Sequence, residues 1–333
     1  MPAAVRRTLV LIALCALAAL AVAGPVLADN GGFTPVEPRS PNAEAINASY
    51  NWVALFTGVI FLIVQGALIL FVVRYRRGRR RRTDEGAQVH GNTNLELAWT
   101  IAPVLILVAI GAFIFYKLPQ IRDIPEASAA GEEPLDVTVK GYRFYWQYEY
   151  PNGTIALDRL RAPVDGNVRL LITAPDFDVI HSWWIPALGG KFDAIPGRTN
   201  ESWFRASREG VYRGQCAEFC GVQHTAMTAT AEVLPREEFD RWLEEEGRAQ
   251  EAGRSETFGR EIYDAACAKC HELGGEGDIG PPLKGNALLN DAEAIEDVVR
   301  NGRGAMPPVG KDWEERQMDA LTSFLEEEFG SGG

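Results

Sequence analysis

Two uncharged apolar runs constrain the fold of this chain more than any other feature. Trp52 to Val73 carries no charge and one side-chain amide, Gln65, and Leu97 to Tyr116 carries no charge at all. Each is long enough to cross a bilayer, which takes about 20 apolar residues. Inside hydrocarbon a backbone must satisfy its own hydrogen bonds, so both runs are expected as helices. Trp52, Tyr75, Trp99 and Tyr116 stand near the ends, where interfacial aromatics gather. Between the runs lies Arg74-Tyr75-Arg76-Arg77-Gly78-Arg79-Arg80-Arg81-Arg82. Short Arg-rich loops stay on the cytoplasmic side. Residues 49–118 therefore read as a transmembrane hairpin with a cytoplasmic turn and both flanks outside. Setting that topology is role enough for the arginines.

The N-terminus agrees with this topology. Arg6 and Arg7, an apolar stretch from Leu9 and the small-residue site Val26-Leu27-Ala28 read as a secretory signal over residues 1–28. The rival is an uncleaved membrane helix. Leu14 argues against lipidation of Cys15, and cleavage would remove that cysteine. Four cysteines then remain, all in the motifs described below, and none is left for a disulfide framework. Residues 29–48 are expected as an exposed N-terminal segment.

The net charge is −12, and residues 255–333 hold 7 Lys and Arg against 17 Asp and Glu. Phosphate recognition needs a basic face, so no nucleic-acid partner is expected. A basic protein partner suits the acidic C-terminal region better, although solubility alone would also explain its charge.

Residues 119–134 read as a linker rich in Pro, Ala, Glu and Gly. Residues 135–236 read as an all-β domain. Leu135-Asp136-Val137-Thr138-Val139 alternates as a half-buried strand does, and Tyr142, Phe144, Trp146, Tyr148 and Tyr150 fall on one face of a period-two strand. Turn signals at Pro151-Asn152-Gly153, Asp165-Gly166, Gly189-Gly190 and Pro196-Gly197 have the spacing of a sandwich or barrel. Residues 237–254 are expected as a charged linker helix. Residues 255–333 read as a small all-α domain, with Met318, Leu321, Phe324 and Leu325 striping its last helix.

Two constellations carry chemistry. The first is Cys216-Ala217-Glu218-Phe219-Cys220-Gly221-Val222-Gln223-His224-Thr225-Ala226-Met227. It puts two thiols, an imidazole and a thioether in one loop, a donor set that suits copper. The cysteine spacing is too wide for a C-x2-C zinc knuckle. His181 lies upstream in Asp178-Val179-Ile180-His181-Ser182-Trp183-Trp184. A β-domain with a remote His and a late Cys, His and Met resembles blue-copper proteins, here with one thiolate more. Two bridging thiolates let two copper ions share a site. The second constellation is Cys267-Ala268-Lys269-Cys270-His271, the c-type haem attachment motif. Met306, in Gly304-Ala305-Met306-Pro307-Pro308, is the expected distal ligand, since Met318 belongs to a helix stripe. Ile279-Gly280-Pro281-Pro282 resembles the class-I cytochrome c segment on the proximal side of the haem.

The loop resembles subunit II of haem–copper cytochrome c oxidases, whose pattern C-x-E-x-C-x3-H-x2-M is matched at every position. The hairpin followed by a β-domain matches too. The resemblance implies a cupredoxin-like Greek-key fold and an all-α class-I cytochrome c domain. It implies bridging ligands Cys216 and Cys220, imidazole ligands His181 and His224, and weak axial ligands Met227 and the Glu218 carbonyl. The Glu218 side chain would hold a magnesium shared with subunit I, and Asp193 would face subunit I. Glu96 matches a glutamate at the mouth of a proton channel, though an acid favoured by a helix N-terminus explains it as well. Phe144, Tyr145 and Trp146 are candidate electron-path aromatics. Many members carry Trp at the position of Phe144, where electrons enter from soluble cytochrome c. The departure fits caa3-type oxidases, whose subunit II carries a fused cytochrome c.

The expected cofactors are the binuclear copper A centre, one covalent haem c and magnesium. The expected partners are subunits I and III, membrane lipid, and cytochrome c or a quinol–cytochrome c reductase complex as donor. The expected place is the bacterial plasma membrane, with copper and haem domains outside. A membrane-anchored copper-delivery protein or a stand-alone carrier are the rivals. The first would lack Glu218, Met227 and a second membrane helix.

Overall fold

The computed structural model describes residues 35–75, 88, 90–125, 133–255 and 257–330. The signal segment with Cys15 and most of the Arg run lie outside them. Contacts divide the chain into a hairpin unit, 44–123, and a second unit holding all the rest.

In the hairpin unit, helix α1 spans Pro41–Tyr75 and α2 spans Thr93–Arg122. Both are long and apolar enough to cross a membrane, and their central windows are wholly unburied by protein, as lipid-facing helices would be. Trp52 joins them. Its ring stacks on Phe113 at 4.9 Å, and its indole N–H donates to the Ala109 carbonyl at 3.4 Å. Helix α2 runs past Pro119, so the expected linker starts as helix.

In the second unit ten strands form two five-stranded sheets. Strand β1 spans Leu135–Tyr142, β2 Tyr145–Glu149, β3 Ile155–Leu157, β4 Arg159–Pro163 and β5 Val168–Thr173. Strand β6 spans His181–Trp184, β7 Phe192–Ala194, β8 Asn200–Phe204, β9 Gly210–Cys216 and β10 Thr228–Leu234. The sheet orders are β3-β2-β1-β5-β8 and β4-β10-β9-β6-β7, antiparallel except for β1/β5 and β4/β10. This is the expected cupredoxin-like sandwich. Inward alternation makes the core, as in β5, where Val168, Leu170 and Ile172 are fully buried.

The aromatic run departs from the single strand expected of it. The chain turns at Arg143-Phe144, pairing Tyr142 with Tyr145 across a hairpin. Strand β2 is then buried on both faces. Trp146 and Tyr148 enter the sandwich core, while Tyr145 and Tyr142 stack at 4.9 Å in a second core shared with the C-terminal helices. Period-two reading shows alternation but not what covers the other face.

The helical region comprises α3 (Arg236–Glu251), α4 (Phe258–Ile262), α5 (Ala268–His271), α6 (Ala292–Asn301) and α7 (Glu315–Phe329), with a π-helical segment at Tyr263–Cys267. Residues 237–254 are more than a connector. Phe239 lies in the sandwich core, and the Gln250 amide pairs with both backbone groups of Ile155 at 2.8 and 3.0 Å. That side chain completes the edge of β3 as another strand would. The expected exposed segment 29–48 also needs correction. Ser40 and Asn42 are buried, and the Asn42 amide donates to the Trp203 carbonyl at 2.5 Å.

Candidate functional site

Strand β9 delivers Cys216 at its last residue, the following loop carries Cys220, and a 3-10 turn at His224–Ala226 leads into β10. Strand β6 brings His181 beside them, because β6 pairs with β9 at Trp183↔Cys216. The two sulfurs lie 3.9 Å apart. His181 Nδ1 is 4.0 Å from the Cys216 sulfur, and His224 Nδ1 is 3.6 Å from the Cys220 sulfur. Met227 Sδ is 3.8 Å from the Cys220 sulfur, and the Glu218 carbonyl is 3.2 Å from the Cys216 sulfur. All six predicted ligand positions thus converge. His181, Cys216 and Cys220 form the one His/Cys/acid cluster tight enough for a metal among the described residues.

The electrostatics fit cations at this point. The hydrogen bond from Cys220 favours a thiolate at Cys216 and outweighs its burial. Its neighbour then pushes the Cys220 thiol up, with burial adding to the effect. A second thiolate needs positive charge between the sulfurs, which bound metal supplies. Sulfur and imidazole donors select copper over the oxygen-seeking cations.

His181 is fully buried, and its Nε2 lies 3.4 Å from Asp178 Oδ1. Burial disfavours charge on this ring, but Asp178 and Cys216 together raise its pKa. Asp178 is itself held by Arg143, through a 3.0 Å ion pair and the backbone N–H at 3.2 Å. Sequence reading missed Asp178. Its place three residues before a candidate ligand histidine was the available signal, since metal-binding histidines usually have a carboxylate or carbonyl on their second nitrogen.

Glu218 leaves its side chain exposed, as does Asp193 on β7. Trp146 meets the His181 ring edge-on at 6.0 Å. Phe144 is buried, and a Cβ on Gly221 would approach its ring to 3.0 Å. Glu96 sits in the first turn of α2, where its carboxylate accepts the Asn92 backbone N–H at 3.2 Å while the Asn92 side chain accepts from Leu95. That reciprocal cap supports the local reading of Glu96.

In the helical region Cys267 ends the π-helical segment and Cys270 follows on α5. Burial pushes the Cys267 thiol up to about 12 and raises Cys270 as well. His271 Nδ1 lies 2.8 Å from the Pro281 carbonyl. An N–H donated there leaves Nε2 free for iron. A Cβ on Gly280 would come within 2.6 Å of the His271 ring, so only glycine lets this segment approach. Met306 is half-buried against the helical core, in a turn closed by two 3.1 Å bonds with Arg303. Two thiols, a ring nitrogen aimed by its own hydrogen bond and a loop thioether are the donors a covalent haem needs.

Similarity to known proteins covers all three regions. Residues 31–116 match the family described as cytochrome c oxidase subunit II, transmembrane domain. Residues 154–234 match cytochrome c oxidase subunit II, periplasmic domain, and residues 255–325 match cytochrome c oxidase, cbb3-type, subunit III. Cytochrome c oxidase subunit 2 of Alkalihalophilus pseudofirmus is 32% identical over 313 residues, covering 88% of this chain and 90% of its own. Its namesake in Cereibacter sphaeroides is 35% identical over 247 residues, covering 62% and 78%. The crystal structure of the periplasmic domain of subunit II of cytochrome oxidase of Bradyrhizobium japonicum is 32% identical, with a TM-score of 0.34, covering 38% of this chain and 97% of that one. With its membrane hairpin, cupredoxin-like domain and C-terminal helical region, this chain belongs to the cytochrome c oxidase subunit 2 family, in a form fused to a cytochrome c domain.

Proposed function

We propose that this chain is the electron-input subunit of a caa3-type haem–copper oxidase in a bacterial plasma membrane. Its copper and haem domains stand on the outer face. The convergence of six donor groups within one loop and β6 carries the reading. Cys216, Cys220, His181, His224, Met227 and the Glu218 carbonyl would together hold a copper pair. The copper pair supplies one-electron relay chemistry when bound. Cys267 and Cys270 would carry the haem as thioethers, and His271 and Met306 would bind its iron.

The protein's own part is to hold these donors and keep water away. His181, Cys216, Cys220 and Met227 are buried, so few solvent dipoles reorganise when charge arrives. Electrons come from cytochrome c or a quinol–cytochrome c reductase complex and leave for the haem of subunit I, where oxygen is reduced to water with proton pumping. The exposed Glu218 side chain is free to share a magnesium with subunit I, and the exposed Asp193 to face it. Glu96 serves as proton entrance in addition to capping its helix, and subunit III completes the assembly.

Electron paramagnetic resonance on the purified full-length chain, loaded with copper and haem, tests this. Hyperfine structure from one electron shared equally by two coppers is expected. A single-copper signal, or none, would return the chain to the carrier or copper-delivery readings.

A further inference from the structure

Lys269, one of the two residues between the haem cysteines, also grips the copper domain. The Lys269 ammonium pairs with Asp158, at the bend between β3 and β4, and donates to the Phe144 carbonyl at 2.9 Å. The Lys269 carbonyl accepts the Gln223 side-chain amide at 2.7 Å. Gln223 directly precedes His224. The other carboxylate oxygen of Asp158 accepts the Trp146 backbone N–H at 2.8 Å, and the Trp146 ring meets His181. One lysine therefore connects the haem turn to the neighbours of both copper-binding imidazoles. Nothing in a C-x-x-C-H motif requires this, because haem attachment leaves the middle positions free.

We propose that Lys269 is a positioning residue that clasps the haem-attachment turn onto the copper loop, and that the Gln223–Lys269 hydrogen bond is the short bridge between the two centres. This rests on the reading given above under the proposed function. One electron leaves the haem held by Cys267 and Cys270 and arrives on the copper pair held by Cys216 and Cys220. Lys269, Asp158 and Gln223 neither gain nor lose one. Their contribution is distance: a continuous path of covalent bonds and one hydrogen bond replaces a gap between two domains. The Lys269 and Asp158 side chains are only 13% and 23% exposed, so added salt should screen their pairing little. The clasp also sets the haem-attachment turn against the Phe144 backbone, so a Trp at this position to receive electrons from a diffusing donor is dispensable.

The test uses the purified holo-oxidase, with photoreduction of haem c followed by electron arrival at copper. In the native protein the rate should be nearly independent of ionic strength. Lys269→Met should slow it on the order of 10–100-fold, the scale that small misplacement of reacting centres costs. Both metal spectra should stay unchanged, and Lys269→Arg should restore part of the rate. Hydrogen–deuterium exchange gives a readout apart from turnover: Lys269→Met should loosen both 141–147 and 266–272. Gln223→Leu, which leaves the ion pair intact, should slow transfer while both segments stay protected. Native rates and native protection in both variants would overturn the clasp. Should Lys269→Met lose its spectra, the Gln223→Leu rate decides alone. A native protein without the two-copper signal or without covalent haem would instead overturn the functional reading beneath it.

Discussion

The molecule holds two pairs of cysteines, close in spacing and fitted for opposite chemistry. Cys216 and Cys267 are almost equally hidden, at 3% and 7% exposure, so burial does not distinguish them. Neighbours do. In the copper loop the second thiol sits 3.9 Å from the first, in hydrogen-bond contact with it, and His181 approaches from the other side. That arrangement favours a thiolate, the form that ligates metal. Cys267 has no such partner, and burial among apolar side chains holds it as a neutral thiol. On the proposed function, the same side chain would serve as an ionic ligand or a covalent anchor according to what its surroundings stabilise.

Cys216→Ser should break this comparison most completely. The two-copper signal should vanish while haem stays covalently bound; Cys267→Ala should do the reverse, weakening or abolishing haem stain on a denaturing gel and leaving the copper signal. Loss of both cofactors in either variant would mean that the sites depend on one another.

Trp313→Ala comes next. Trp313 is buried, and its indole N–H donates to the Tyr145 hydroxyl at 2.8 Å, which itself donates to the Val309 carbonyl at 2.8 Å. Truncating a buried Trp costs about 3–5 kcal/mol. Calorimetry should show the helical region melting ahead of the sandwich; a single unshifted transition would refute the shared core.

Asp178→Asn should loosen the copper site without dismantling it. Losing the carboxylate on a ligand histidine typically costs 10–100-fold in metal affinity. Competition against a copper chelator measures this, and native affinity would show that Arg143 or the fold alone orients His181. The smallest effect belongs to Met227→Leu. Copper content should hold at two per chain and the potential should shift, as read by spectroelectrochemistry; lost copper would make Met227 a principal ligand rather than an axial one.

Much of the fold was legible because each region obeys one dominant constraint. A bilayer forces apolar helices, so the two long helices of the hairpin could be read directly. A half-buried sheet forces alternation, which β5 and β10 display. The aromatic run departs from one strand because the chain turns at Arg143-Phe144 and β2 is buried on both faces, and period two cannot say that the side carrying Tyr145 and Gln147 packs against α7 and its neighbours. The 237–254 helix docks through only a few residues of a charged run, Phe239, Trp242, Leu243 and Gln250, too few for its sequence to show a packed face.

The sequence by itself determined the donor inventory: two thiols, an imidazole and a thioether in one loop, and C-x-x-C-H in another. Ligand chemistry restricts residue type and spacing so tightly that a local pattern suffices. Tertiary structure alone decided which groups would steady those donors. Asp178 behind His181, the Gln147–Gln317 hydrogen bond at 3.0 Å and Lys269 across Asp158, Phe144 and Gln223 join residues far apart in the chain or unremarkable within it. Polar side chains are common on every surface. Only folding shows which of them meet a partner, and here their meeting places the haem turn against the copper loop.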